Sequence, residues 1–345
     1  MNAKKLEQQI KSLDKAAMEG AKARWDGIAK PIGSLGQLEH IVCAMAGIQR
    51  TADVKIDRRA VVVLCADNGV VAQGVASTPQ DITAVMAGFI AQGRSTVGIM
   101  ATEAHADVIA VDMGMCRRID TPSIIERRIA DGTADMTKGP AMSRAQAEQA
   151  IETGIDLVRE CKANGYQILA TGEMGIGNTT TSSAVASVLL GHTVEEMTGP
   201  GAGLDPAGLE RKLRAIQEAI DVNRPDPNDA LDVLSKVGGF DIAAMAGVFI
   251  GGAIHGIPVV VDGVISATAA LAATCLCPGA QNCMIASHVS EEPASRRILE
   301  KLNLTPILRA QMRLGEGTGA IAVLPLIDMA LSVYRDLMTF EDIGM

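Results

Sequence analysis

The stretch YQILATGEMGIGNTTTSSAVASVLL, Tyr166 to Leu190, decides the fold class. Ile168, Leu169 and Ala170 read as a short buried strand. Gly172, Glu173, Gly175, Gly177 and Asn178 form a glycine-rich turn, and Thr179, Thr180 and Thr181 open an Ala/Ser/Val/Leu helix. Strand, glycine-rich turn and helix in that order is the unit of an α/β sheet. Such a turn presents backbone N–H groups to an anion, usually a phosphate. Glu173 adds a carboxylate to the same turn. A phosphate cradle beside an acid suggests chemistry on a phosphorylated small molecule. The alternative is a glycine-rich connection that holds no ligand.

Two familiar loops nearly fit. The spacing Gly172, four residues, Gly177, x, Thr179 mimics a P-loop, but Asn178 stands where the P-loop lysine is needed. The dinucleotide fingerprint needs a glycine at 180, where Thr180 stands. The turn therefore reads as a monophosphate-type cradle rather than an NTP or NAD site.

The same design recurs along the chain. AVVVLCADNGV (60–70), DVIAVDMGM (107–115), YQILATGEMG (166–175) and IPVVVDGVIS (257–266) each run from an apolar strand to a polar residue and glycine; NCMIASHVSEE (282–292) is a weaker fifth. These strands are continuously apolar, as in a parallel sheet buried on both faces. The segments 83–104 and 143–163 read as helices between them. The expected architecture is an α/β fold with a doubly wound parallel sheet. Asp67, Asp112, Glu173, Asp262 and His288 then fall just past strand C-termini, where open α/β sheets bind ligands. Asp67 and Asp112 serve equally well as caps or turn residues. The chain ends break the rhythm: residues 3–24 read as an amphipathic helix and 320–338 as an apolar helical run. They are expected to pack together as a second, smaller helical domain (residues 1–45 and 300–345) beside an α/β domain (46–299).

Composition excludes several classes. With 31 basic and 40 acidic residues the net charge is −9, and only 2% of residues are aromatic. A nucleic-acid binder needs a basic face or stacking platforms, so no nucleic-acid partner is expected. The N-terminus lacks a signal-peptide core, and no uninterrupted apolar run of about 18 residues argues for a membrane span. Seven scattered cysteines read as free thiols in a reducing cytoplasm. Cys275, Cys277 and Cys283 could suggest a metal, but no histidine sits at ligand spacing beside them; small buried thiols are the simpler reading.

Three further motifs carry chemistry. MRLGEGTGA (312–320) places Glu316 between two glycines, which let the backbone approach a ligand and hold an acid in an unusual conformation. Apolar neighbours Leu314, Ile321 and Ala322 would desolvate its carboxylate towards a useful base, while the following helix N-terminus would favour the charged form. TGPGAGLDPAGLERKL (198–213) puts Gly199, Gly201 and Gly203 before an Asp205-Pro206 helix start, with Lys212 two turns on. That is either a second anion site with a lysine charge or a turn followed by an exposed lysine. DNGVVAQGVASTPQDIT (67–83) is a polar loop of the kind that forms substrate walls.

KPIGSLGQLE (30–39), DNGV and GVASTPQDIT (67–83), GEMGIGNTTT (172–181), GPGAGLDPAGL with Lys212 (199–212), VGGFDIAAMAG (237–247), VVVDGVISA (259–267) and RLGEGTGA (313–320) occur in order over nearly the whole chain. The set resembles the nicotinate-nucleotide–dimethylbenzimidazole phosphoribosyltransferase family. The resemblance implies transfer of phosphoribosyl from nicotinate mononucleotide to 5,6-dimethylbenzimidazole, giving the α-ribotide of the cobalamin lower ligand and free nicotinate. It implies a Rossmann-like domain plus a small helical one, in a homodimer. It assigns Glu316 as catalytic base with Glu173 in the same site. It gives the phosphate to Gly175, Gly177, Asn178 and Thr179, to Gly201 and Gly203, and to Lys212. Ser77, Gln80, Met86 and Leu314 would suit a flat apolar acceptor base. No metal or other cofactor is required by this scheme.

Two alternatives remain at this level. A transferase using phosphoribosyl pyrophosphate would carry an acidic pair after an apolar strand for Mg²⁺, and the Glu-Glu pairs at 195–196 and 291–292 lie in polar context. A non-catalytic nucleotide-binding regulator could use the same cradle without a glycine-flanked glutamate.

Overall fold

The structure, a computed structural model, describes residues 1–119 and 121–344. Six parallel strands form one sheet: β1 (Arg59–Ala66), β2 (Asp107–Gly114), β3 (Ile124–Glu126), β4 (Ile168–Met174), β5 (Val259–Val261) and β6 (Met284–Ala286). Their order is β3-β2-β1-β4-β5-β6, all neighbours parallel. The chain builds outward from β1 to β3, then returns to add β4 on the other side of β1. The order reverses between β1 and β4, and ligands bind in the crevice outside such a switch point.

Side-chain parity along the strands sorts the core into two layers. Ala60, Val62, Leu64, Val111, Met113, Leu169, Val259, Val261 and Met284 join one cluster, with helices Arg144–Ala163, Asn178–Leu190, Phe240–His255 and Val264–Leu276. Val61, Val63, Cys65, Ala110, Ile168, Ala170, Val260 and Ile285 join the other, with helices Ile82–Ala91, Thr96–Glu103 and segments from both chain ends. Successive residues of a strand face opposite sides. Each therefore needs an apolar partner, which explains the unbroken Val/Leu/Ala runs in the sequence.

Three elements differ from expectation. β3 falls outside the strands expected from the sequence; its three residues, Ile-Ile-Glu, end in neither the acid–glycine signature nor a helix start. The segment 83–104 is two helices parted at Gly93 (φ 68), and Ser95 caps the second by accepting from Gly98 N–H. Residues 3–24 are likewise not one helix. Ala3–Glu7 ends early, and Asp14 restarts Lys15–Gly27 by accepting from Ala17 N–H. The two pieces go to different sides of the sheet. The Met1 amino group meets Glu148 at 3.0 Å and Gly279 N–H donates to Glu7, in the first layer.

Helix Lys15–Gly27 instead meets the chain's other end in the second layer. Trp25 stacks tilted on Tyr334 at 5.0 Å, Arg24 Nε donates to the Tyr334 carbonyl at 2.8 Å, and Ile28 bridges Thr339. The run Thr318–Asp336 is apolar and long enough to cross a membrane by composition. It breaks at Val323 into two helices, and Ile327, Leu331 and Tyr334 are buried in the second layer.

The first layer is tightest where helix 144–163 crosses helix 240–255. A Cβ added at Gly154 would lie 1.9 Å from the Ala244 carbonyl oxygen, and one at Gly247 2.0 Å from that of Ile151. No rotamer relieves a clash with backbone, so the helices would have to part. Gly154→Ala is expected to cost about 3 kcal/mol, measured as a fall in the urea midpoint.

Candidate active site

The β1/β4 switch point opens into a cleft of about 1070 Å³, its mouth included. Much of that space is open to solvent, and the cleft's inner volume is about 210 Å³. Its wall gathers segments far apart in sequence. Glu173, Gly175, Gly177, Asn178 and Thr179 come from β4 and the following turn, Ser77 from the loop after β1, and Gly201 from the 199–203 turn. Leu314 and Glu316 come from the loop before helix Thr318–Ala322.

Glu316 is the most constrained of these. Its φ is +59°, between Gly315 at +91° and Gly317 at +94°. A side chain in the left-handed region costs roughly 1–2 kcal/mol, and such strain concentrates at functional sites. The surroundings hold it there. Gly317 N–H and Ala320 N–H donate to the Asp262 carboxylate at 3.3 and 3.0 Å. Glu316 N–H points at Glu173 Oε1, 3.4 Å away. The carboxylate itself accepts from Val97 N–H at 3.1 Å, in the first turn of helix Thr96–Glu103, whose N-terminal dipole favours a negative charge. The loop lies directly on β4: a Cβ at Gly172 would be 2.3 Å from the Glu316 carbonyl oxygen, and one at Gly315 2.4 Å from Glu173 Oε1.

Glu173 is 7% exposed. Burial, with Asp241 and Asp262 adding like charge, pushes its carboxyl up to about 8, against the pull of the Asn178 amide. That amide is the junction of the site. Asn178 Nδ2 donates to Glu173 Oε2 and, at 2.9 Å, to Asp241 Oδ2. Asp241 is fully buried, its other oxygen accepts from Ile242 N–H at 2.9 Å, and burial pushes its carboxyl up to about 6. The Asn178 side chain thus turns to two acids, while its backbone starts the helix that faces the cleft.

Helix Asn178–Leu190 begins behind Gly177 (φ +92°) with no side-chain cap. Asn178, Thr180 and Thr181 N–H donate to the Gly175 and Gly177 carbonyls, and the Gly177 and Thr179 N–H groups, without a protein partner among the described residues, are the ones available to an anion. Lys212 stands behind this turn and does not line the cleft. It is fully buried, its Nζ donating to Thr179 Oγ1 at 3.0 Å and the Gly199 carbonyl at 2.9 Å. Burial pulls its ammonium down to about 8, with Glu292 opposing. Gly201 N–H donates to Glu292 Oε1 at 2.9 Å, so that amide already has a partner. Gly203, at φ +98°, lies outside the cleft wall.

Ser77 and Leu314 lie on the cleft wall. Gln80 and Met86 do not: the Gln80 amide reaches Cys116 Sγ at 3.5 Å, and Met86 is half-buried on helix 82–91. Met174 joins the wall from the end of β4. Asp112 is structural, accepting from Gly114 and Met115 N–H and pairing with Arg128 at 2.6 Å. Asp67 accepts from Cys116 N–H at 2.7 Å. Asp262 and His288 do reach the cleft. Burial raises the Asp262 carboxyl and lowers the His288 imidazole. Sequence reasoning did not single out Asp241 or Glu292. Asp241 sits inside an otherwise apolar helix, which is a signal that could have found it. Glu292 reads as an ordinary helix-start acid. Cys277 and Cys283 donate to the carbonyls of Ala3 and Phe249, and no three metal-ligating side chains stand together among the described residues.

Comparison with known proteins agrees with this geometry. A family model described as DBI_PRT, phosphoribosyltransferase, matches residues 10–345. The nicotinate-nucleotide–dimethylbenzimidazole phosphoribosyltransferases of Ruminiclostridium cellulolyticum and Acetivibrio thermocellus are each 47% identical over 333 residues, 96% of this chain and 95% of theirs. The crystal structure of CobT from Thermus thermophilus superposes with a TM-score of 0.91 at 36% identity, over 96% of this chain and 99% of that one. The chain therefore belongs to the nicotinate-nucleotide–dimethylbenzimidazole phosphoribosyltransferase family.

Proposed function

We propose that the chain transfers phosphoribosyl from nicotinate mononucleotide to 5,6-dimethylbenzimidazole or a related lower-ligand base, yielding the α-ribotide and nicotinate for nucleotide-loop assembly of cobalamin. The observation that carries this reading is the Glu316 carboxylate, fixed by Val97 N–H on the wall of the cleft that also contains the uncapped helix at Asn178.

The chemistry needs a base on one side only. Nicotinate leaves through its ring nitrogen as a neutral pyridine, so its departure needs little acid. The attacking azole must lose its N–H proton, and Glu316, with one oxygen held by Val97, takes that proton on the other as general base. Attack opposite the leaving group turns a β-ribotide into an α-ribotide. The phosphate sits at the start of helix 178–190 on the Gly177 and Thr179 N–H groups. Lys212 lends its charge through Thr179 from behind, and Gly201 and Gly203 shape the neighbouring turn. Glu173 sits against Glu316 and keeps that loop in place. Ser77, Leu314 and Met174 form a wall suited to a flat apolar base, with Gln80 and Met86 farther out. Positioning of the two substrates supplies much of the remaining rate.

Seven free thiols support a reducing cytoplasm as the site of action. A second copy of the chain is the partner proposed for Val85 and Phe89, exposed one turn apart on helix 82–91. Sedimentation should give twice the 35.9 kDa chain mass, and Phe89→Asp should shift the protein towards the monomer.

Incubated with nicotinate mononucleotide and 5,6-dimethylbenzimidazole in chelator, the protein should form α-ribotide and nicotinate. Glu316→Gln should bind nicotinate mononucleotide but turn over at least about 100-fold more slowly. Full activity in that variant would remove Glu316 from the mechanism.

Lys212 sets a pH dependence. Its folded value lies below that of a free lysine, so it is charged below about pH 8 and neutral above. Above that pH, phosphate binding requires proton uptake. KM for nicotinate mononucleotide should be flat below pH 8 and rise towards about tenfold per unit above it; in Lys212→Met it should be high throughout and lose that slope.

A further inference from the structure

We propose that Asp241 is a positioning residue for Glu173, acting through the Asn178 amide, and that the relay Asp241–Asn178–Glu173 holds the Glu316 loop in its left-handed turn. The inference rests on the function proposed above, in which Glu173 and Glu316 share the reaction site.

Four observations carry it. An amide nitrogen has two hydrogens and no more, and here both are committed, one to Asp241 Oδ2 at 2.9 Å and one to Glu173 Oε2. Asp241, pushed up only to about 6, is ionised at neutral pH and can only accept, so the NH₂ end of Asn178 faces it, which fixes the amide's orientation. Asp241 is itself anchored: Oδ1 accepts from Ile242 N–H, and a Cβ at Gly239 would fall 2.5 Å from it. At the far end of the chain of bonds, Glu173 Oε1 faces Glu316 N–H, so the rotamer of Glu173 and the backbone of Glu316 are set together.

Asp241 touches neither cleft nor substrate, since it does not line the cavity. A buried acid that lies one side chain behind the site, with its oxygens spent on a backbone amide and on Asn178, serves orientation. Hydrogen-bonded relays of this kind in a low-dielectric interior transmit the loss of one member to the others.

The relay also sets the titration of Glu173. The groups around that carboxyl are Asp241 at the start of helix 240–255, Asp262 after β5 with His288 after β6, and Glu316 and Arg313 on the loop 312–317. The Cys65 thiol approaches from β1, and Asp67 lies beyond Asp241. Two of the relay's members act in opposite senses. The Asp241 charge raises Glu173, and the Asn178 donor lowers it.

The test uses Asp241→Asn and Asn178→Ala in the full chain. Glu173 is titrated by its carboxyl band in difference infrared spectra, assigned by its loss in Glu173→Gln, alongside kcat and KM for the transfer. Asp241→Asn should lower the Glu173 midpoint by about one pH unit, and Asn178→Ala should raise it. Both should lose about tenfold in kcat with KM for nicotinate mononucleotide changed far less. A variant that merely loosened the fold would not move the two midpoints in opposite directions. Midpoints that stay put, or move the same way, would overturn the relay. A wild-type protein without transferase activity would overturn the proposed function instead, and the infrared midpoints would still decide the relay.

Discussion

Glu316 sits in left-handed backbone between two glycines, and the rest of the site is arranged around keeping it there. That conformation is unfavourable by roughly 1–2 kcal/mol, so it persists only where surrounding contacts over-determine it. Asp262 takes two N–H groups just after the turn, Glu173 faces the N–H within it, and the first turn of helix Thr96–Glu103 takes the carboxylate. These anchors come from separate parts of the chain. The loop can be correct only when the whole sheet has closed.

The site's electrostatics follow from the same packing. Glu173, Asp241, Asp262 and Glu316 crowd the ends of β4 and β5 in a chain already of net charge −9. Buried acids resist ionisation, and two of these are pushed up to about 8 and about 6. Backbone N–H groups and one asparagine amide compensate them, with no lysine or arginine paired to either Glu173 or Asp241 among the described residues. Under the proposed function, a wall of acids beside the Gly177–Thr179 turn suits a substrate that carries a phosphate at one end and a cationic pyridinium ring at the other. Lys212 stands behind that turn, bonded to Thr179 and out of reach of solvent.

The fold supplies the precision through close approach. Gly172 and Gly315 let β4 and the Glu316 loop come into direct contact, and Gly154 with Gly247 lets the backbones of two first-layer helices touch. Rigid neighbours at these distances leave the Glu316 loop little room to drift. A misplacement of about 1 Å can cost a hundredfold in rate.

Local pattern was enough for the parallel sheet, the glycine-rich turn after β4 and the two glutamates that meet on one cleft wall. Continuous Val/Leu/Ala runs followed by acid and glycine mark buried parallel strands wherever they occur, and Glu316 between glycines announces an unusual backbone. Sequence did not reveal β3, a three-residue edge strand with no signature of its own, or the break at Asp14 that sends the first helix to the opposite side of the sheet. Nor did it reveal that Lys212 lies behind the 175–179 turn rather than in it, that Asn178 bridges two acids, or that Asp241 stands at the end of that bridge. Those facts depend on contacts between residues 33 and 63 positions apart, or on which way one side chain turns. Periodicity and local spacing constrain neighbours along the chain; only the closed sheet decides which distant side chains meet.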